Sequence, residues 1–556
     1  MKKSLLWIVV FVLIVSVIAI GATSSATSTI KYGGTMIITG VGQGSVPLNF
    51  NPFTPMGAGM EFTTVIYQSL FYVDAITGET YPLLATSYNW IDNGLELVVN
   101  LRKGVEWTDG TPFTAKDVVF TFNFMKENPA ANLEGVWGST TGLQSVEASG
   151  DNVVIFKFSV PDTPLLYYIS QVPIVPEHIW ATIKDPLTTN NPNPIGTGPI
   201  IFQSYNPAND TFVAVKNPNY WMKGRPYLDK FVYNASPLSP TAVIELMLKH
   251  EADYTYTFFP NVKEVWADKD PSINKYWYPT TNTNLLYFNT QKYPFNNPVF
   301  RKAIDLAINK EPFRQKAEYG ISGMGNPTAI IPGQQKEWLD PTLTSLASSL
   351  NTYNPSESLK LLESIGFKKN QVGQLCSPDG KVLPAFSLIM PTETDFMTMA
   401  DMIAADLKVI GINVTASPMP WNTFTASRDT GNYDMMICWA SGWGPTPYYL
   451  YNGEFNPAYS ATKIGESVIS DYGRYTNPLI TAALNVYSET SDLRLQKQAM
   501  YTIERIVLED VPFVVLTNRT DNYEYSEATL TGWPSESDPY NSLSVDVLMY
   551  VNVHLK

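Results

Sequence analysis

An α/β fold is predicted for this chain of 556 residues by three observations. First, strand-like alternation and helix-like spacing of apolar residues are interleaved along the chain. Second, several helix starts carry side chains suited to cap free amide groups. Third, the length exceeds one ordinary hydrophobic core and implies roughly two to four domains. No fixed-period repeat, low-complexity tract or long flexible linker separates them.

The elements follow in chain order. Lys2-Lys3, an apolar run from Leu5 to Ile20 and small residues from Gly21 to Thr29 have the layout of a secretory signal over 1–26. Cleavage is expected after Gly21 or Ala26, with retention as an N-terminal anchor the alternative. No cysteine follows closely, so lipid attachment is not expected, and no second apolar run reaches membrane length. Leu95, Leu97, Val99 and Leu101 alternate as in a half-buried strand, as do Val154, Phe156 and Phe158. Between them Thr114 and Asp117 form a capping box ahead of Val118, Phe122 and Met125. Asn297-Pro298 opens a helix with Phe300, Ile304, Ala307 and Ile308 on one face. Asn354-Pro355 repeats the device and Gly366 ends that helix. A helix over Phe396–Ile410 stops at Gly411, a strand over Ile412–Thr415 follows, and Ser377-Pro-Asp-Gly380 reads as a hairpin turn.

Composition narrows function. The net charge is −14 with no basic run, which argues against nucleic-acid binding. Charged residues make up 16%, below the usual quarter, which also suits an acidic environment. Cys376 and Cys438 are far apart and match no metal spacing; Cys438 reads as a buried free thiol. His178, His250 and His554 are too scattered for a zinc site, so no metal and no cofactor is expected. Walker, His-Glu-x-x-His and Gly-x-Ser-x-Gly motifs are absent, and Gly40-Val-Gly42-Gln-Gly44 lacks the third glycine of a dinucleotide loop. An enzyme is not expected. A glycosidase needs only two carboxylates and stays a remote alternative. The 13 Trp and 32 Tyr suit a large aromatic core, a ligand site built from stacking surfaces, or both.

Three stretches carry a family resemblance. The run Leu101-Arg-Lys-Gly-Val-Glu-Trp107-Thr-Asp109-Gly-Thr-Pro-Phe113-Thr-Ala-Lys-Asp117, preceded by Asn93-Gly-Leu-Glu-Leu, resembles the signature of family 5 extracellular solute-binding proteins. Gly196-Thr-Gly198-Pro199 resembles that family's Gly-Thr-Gly-Pro-Tyr segment, with Ile200 in place of Tyr. Asn297-Pro-Val-Phe-Arg301-Lys-Ala303-Ile resembles its Asn-x-x-Val-Arg-x-Ala-Ile helix. These are the oligopeptide, dipeptide, nickel and oligosaccharide receptors of ABC importers. The resemblance implies two α/β lobes with an extra subdomain inserted in the first. By analogy lobe one spans 30–289 plus 517–556, with the insertion at about 81–190, and lobe two spans 290–516. It further implies a monomer outside the cytoplasmic membrane, associated with that membrane through a permease or a retained leader.

Peptide receptors of the family hold the ligand's ammonium with an Asp soon after a lobe-two Trp. Here Trp439-Ala-Ser441-Gly-Trp443-Gly-Pro445 has no carboxylate until Glu454, and is similar to the cellobiose- and mannobiose-type receptors. An oligosaccharide is therefore the expected ligand, with a peptide the alternative. Trp and Tyr planes suit sugar faces, and Asn, Gln and Ser suit hydroxyls. The candidate contacts are Trp443, Trp439, Trp421, Trp137, Tyr448, Asn49, Asn51 and Gln68. Trp439 equally suits a core position, and Asn49 and Asn51 a Pro-associated turn.

Overall fold

The computed structural model describes residues 30–40, 48–58, 61–138, 141–235, 239–331, 333–541 and 547–556. The leader at 1–26 and most of the glycine-rich segment after Gly40 lie outside the described residues. The first unit is built on a seven-stranded sheet with Thr35–Thr39 at its centre. That strand runs parallel to Lys230–Asn234 on one side and Tyr254–Thr255 on the other. Met36 and Ile38 are fully buried, so its alternation sets one face into the core. Thr211–Lys216 and Ile200–Asn206 extend one edge, and Tyr523–Ser526 and Asn274–Trp277 the other.

An antiparallel sheet of four strands is inserted, in the order Ala85–Ile91, Glu96–Leu101, Val153–Phe158, Leu143–Ala148. The alternating residues Leu97, Val99, Leu101, Val154, Phe156 and Phe158 are buried as the sequence predicts. Leu95 falls just outside, as the cap of a short turn. Helix Ala115–Glu127 packs on this sheet and starts at the expected capping box, with Thr114 and Asp117 bonding each other's backbone. The insertion shares one hydrophobic core with the seven-stranded sheet.

The second unit is built on five strands in the order Val414–Met419, Phe386–Pro391, Met435–Trp439, Thr280–Phe288, Phe513–Thr520. The first three are parallel, and Thr280–Phe288 is antiparallel to both its neighbours. Helices cover both faces, which explains the continuous apolar runs Leu285–Phe288 and Met435–Cys438 and the two separate cores. Helix Pro298–Ala307 is capped by Asn297, and Pro355–Ser364 by Asn354, as predicted. Helix Thr394–Val409 begins two residues earlier than predicted, and the following strand starts at Val414 because the turn at Gly411, at φ +89°, occupies the intervening residues. Cys376 and Cys438 are both free.

The crossings between units differ from the sequence expectation of Asn289 and Thr517. Thr280–Phe288 and Phe513–Thr520 both pair within the five-stranded sheet. The chain therefore changes unit between Trp277 and Thr280, and again between Thr520 and Tyr523. The family analogy alone puts the border at Asn289. Its buried side chain instead bonds Gly431 O at 2.8 Å and pins the strand end inside the second unit.

Candidate functional site

In each unit the carboxyl ends of the parallel strands face the junction, where open α/β sheets place ligands. On the second unit these ends are Pro391, Met419 and Trp439. Trp439 pairs across strands with Asn284, Asn284 with Thr517, and Asn282 with Arg519. Directly paired residues project to the same sheet face, so these five side chains form one patch. Pro420 then turns the chain so that Trp421 opens the helix Trp421–Thr430. Trp421 stacks on Trp439 with ring centres 5.4 Å apart and planes 19° from parallel. Trp421 is 42% exposed, whereas Trp439 is half-buried and also carries the Arg519 guanidinium 4.3 Å from its ring centre.

The charges around this patch are unequal. Arg519 interacts electrostatically with Asp395 and Asp521, and burial pushes both carboxyls up to about 6 against its pull. Among the described residues no acceptor lies within hydrogen-bonding distance of its side chain. Glu318 accepts from Asn284 Nδ2 at 2.9 Å, Thr517 Oγ1 at 3.0 Å and Ser322 Oγ at 3.0 Å. Burial raises Glu318 to about 7. Asn284 is 2% exposed, and its Oδ1 has no donor among the described residues.

On the first unit, Tyr550 donates to Glu61 at 3.0 Å, and the hydroxyls of Tyr233 and Tyr256 lie 3.0 Å apart. Burial pushes Glu61 up to about 8. Glu454, the first carboxylate after Trp439 in the chain, is buried and engaged through one oxygen. Its Oε1 accepts from Tyr287 at 2.6 Å and from Ser441 N and Oγ at 2.6 and 2.8 Å.

Of the eight candidates from the sequence, the structure brings Trp421 and Trp439 together. Trp443 and Tyr448 stand at another joint between the units. Trp443 meets Tyr167 edge-on at 6.4 Å, and Tyr448 stacks on Tyr487 at 4.5 Å. The remaining four serve the first unit. Trp137 donates Nε1 to Phe122 O at 2.7 Å, under the Lys126 ammonium at 4.5 Å. Asn49 Oδ1 accepts from Asn51 N, and Asn51 bonds Pro186 O and Thr189 O at 2.7 and 2.9 Å, which makes a turn. Gln68 is fully buried between the Tyr220 hydroxyl and Trp221 Nε1, each at 2.8 Å. Sequence reasoning missed Arg519, Asn282, Asn284, Asp395 and Asp521. The available signal was the polar run Thr280–Asn284 at the head of an otherwise buried strand. Among the described residues no group of three or more His, Cys, Asp or Glu is placed to hold a metal ion. No described helix is long and apolar enough to cross a membrane.

Residues 79–461 match the model of the bacterial extracellular solute-binding proteins, family 5. The chain is 24% identical over 532 residues to the oligopeptide-binding protein AppA of Bacillus subtilis, covering 91% of this chain and 92% of that protein. It is 26% identical over 500 residues to the dipeptide-binding protein of Escherichia coli, covering 85% and 88%. A periplasmic oligopeptide-binding protein of an ABC transporter of Thermotoga maritima superposes with TM-score 0.84 at 28% identity, over 94% of this chain and 99% of that one. The mannohexaose-bound form of that protein gives 0.79 at the same identity, over 95% and 100%. Agreement over nearly the whole chain bears out the two-lobed α/β fold.

Proposed function

Because this chain belongs to the bacterial extracellular solute-binding proteins of family 5, we propose that it is the extracytoplasmic receptor of an ABC importer and captures an oligosaccharide between its lobes. The observation that carries this reading is the stacked pair Trp421 and Trp439 at the carboxyl ends of lobe-two strands, with Trp421 open on one side. Aromatic planes of this kind cover the apolar faces of sugar rings. The engagement of Glu454 by Tyr287 and Ser441 supports it, since that carboxylate is not free to hold a ligand ammonium. The mannohexaose bound by the similar Thermotoga protein points the same way.

The lobes open and close about the crossings at Trp277–Thr280 and Thr520–Tyr523. Ligand bridging both lobes shifts the population to the closed form, which docks on a membrane permease. The leader at 1–26 directs export, in keeping with the periplasmic location in the names of several relatives. A peptide ligand is the second reading. It is favoured by the oligopeptide and dipeptide names of the relatives.

Small-angle scattering tests the proposal. Saturating oligosaccharide is expected to reduce the radius of gyration, with peptides leaving it unchanged. Compaction by peptides alone would overturn the sugar reading and keep the receptor.

A further inference from the structure

Arg519 occupies an unusual position for a half-buried cation. Its guanidinium lies over the Trp439 ring, and Asp395 and Asp521 act on its charge from beyond ion-pair distance. Yet its side chain donates no hydrogen bond to any described residue. An arginine held over an aromatic ring keeps its planar fork of N–H groups available for paired oxygen acceptors. On the same face, Asn284 holds a buried Oδ1 with no donor, although its Nδ2 bonds Glu318 and Thr517. Asn284 is 2% exposed, so that oxygen faces the interior, and the unengaged donors of the patch are those of Arg519.

We propose that Arg519 is a specificity residue that reads neighbouring hydroxyls of a neutral sugar ring seated against the Trp421–Trp439 stack. This rests on the oligosaccharide reading above. Charge decides between ligand classes. Asp395 and Asp521 already supply two carboxylates to one guanidinium, and Glu318 adds a third nearby on the same patch. A uronate or peptide carboxylate would crowd a further anion against them. Hydroxyl oxygens accept from the fork without that repulsion.

The test is titration calorimetry of the full chain and of Arg519→Ala and Arg519→Lys. The probes are neutral cello- and manno-oligosaccharides up to mannohexaose, oligogalacturonates of matching length, and tri- to pentapeptides. Melting temperatures confirm that the variants fold. Neutral sugars are expected to bind, with affinity falling about tenfold or more in Arg519→Ala. Arg519→Lys keeps the charge and loses the fork, so it is expected to recover little of that affinity. Unchanged affinity for neutral sugars in both variants would overturn the role of Arg519 and leave the receptor reading intact. Tighter binding of oligogalacturonates than of neutral sugars would overturn the charge argument alone. Binding of peptides with no sugar bound would overturn both the inference and the oligosaccharide reading.

Discussion

The two lobes meet in two chemically opposite ways. At the side joint, the inserted subdomain bonds lobe two directly. Thr163 N donates to Ser488 O at 3.0 Å, Tyr449 donates to Pro164 O at 3.2 Å, and Tyr167 packs on Tyr449 at 4.7 Å. At the crossing, Trp421 is exposed, Arg519 has unengaged N–H groups and Asn284 Oδ1 has no donor. Polar groups at the side joint find partners across the lobes, whereas at the crossing the Trp421 ring and the Arg519 N–H groups stay open. That contrast also sorts the sequence candidates, because Asn51, Gln68 and Trp137 are all engaged internally.

The largest effect is expected at the crossing. Trp421→Ala should weaken oligosaccharide binding by ~2–3 kcal/mol, roughly 30- to 150-fold, as loss of an aromatic anchor does. Its melting temperature should fall by no more than a few degrees, since the residue is 42% exposed and lies outside the cores. Loss of stability with unchanged calorimetric affinity would make Trp421 a structural residue and break the comparison.

The side joint is expected to respond to pH. Burial raises Glu134 to about 7 and Asp162 to about 6, and both line a polar cavity of about 100 Å³ at that joint. Glu454 and Glu504 in lobe two are likewise raised, to about 7 and about 8. A raised carboxyl binds its proton more tightly in the folded state. Its contribution is therefore complete below the unfolded value near 4.5 and is lost as pH climbs through the folded value. The melting temperature should fall by several degrees between pH 5 and pH 8.5, a window set by these shifts. Glu134→Gln should flatten that slope. A melting temperature that rises across the window would contradict the assignment.

Asn51→Ala sharpens the contrast from the other side. It leaves the carbonyls of Pro186 and Thr189 without their donor in a buried turn and should cost about 1–3 kcal/mol of stability. Denaturant unfolding measures that loss, and affinity for sugar should not change. The smallest effect is expected from Thr163→Val, which removes the hydroxyl bonds to Ser488 O and Thr490 O and keeps the backbone bond. About 0.5–1 kcal/mol is expected, read as a slightly larger ligand-free radius of gyration.

Much of the fold was legible because its signals are local. Thr114 with Asp117, Asn297-Pro298 and Asn354-Pro355 carry helix starts within a few residues, and each cap forms as read. The crossings were less legible. The family analogy puts a border at Asn289, whereas the changeover is set by strand pairing with residues far away in sequence. The site was legible only in part. Trp421 and Trp439 stand out as residue types, but whether a side chain is engaged depends on distant partners. Gln68 finds Tyr220 and Trp221, and Trp137 finds Phe122 O, and no spacing rule reveals either. Arg519 was hidden for the same reason: its side chain makes no hydrogen bond to a described residue, and no spacing rule reveals that.

The measurement that bears most directly on this account is titration calorimetry of the ligand-stripped full chain against matched panels of neutral oligosaccharides and peptides. The predicted result is saturable binding of a neutral oligosaccharide, lost in Trp421→Ala, with no heat from the peptides. Saturable binding of peptides, with the sugars silent, would contradict it.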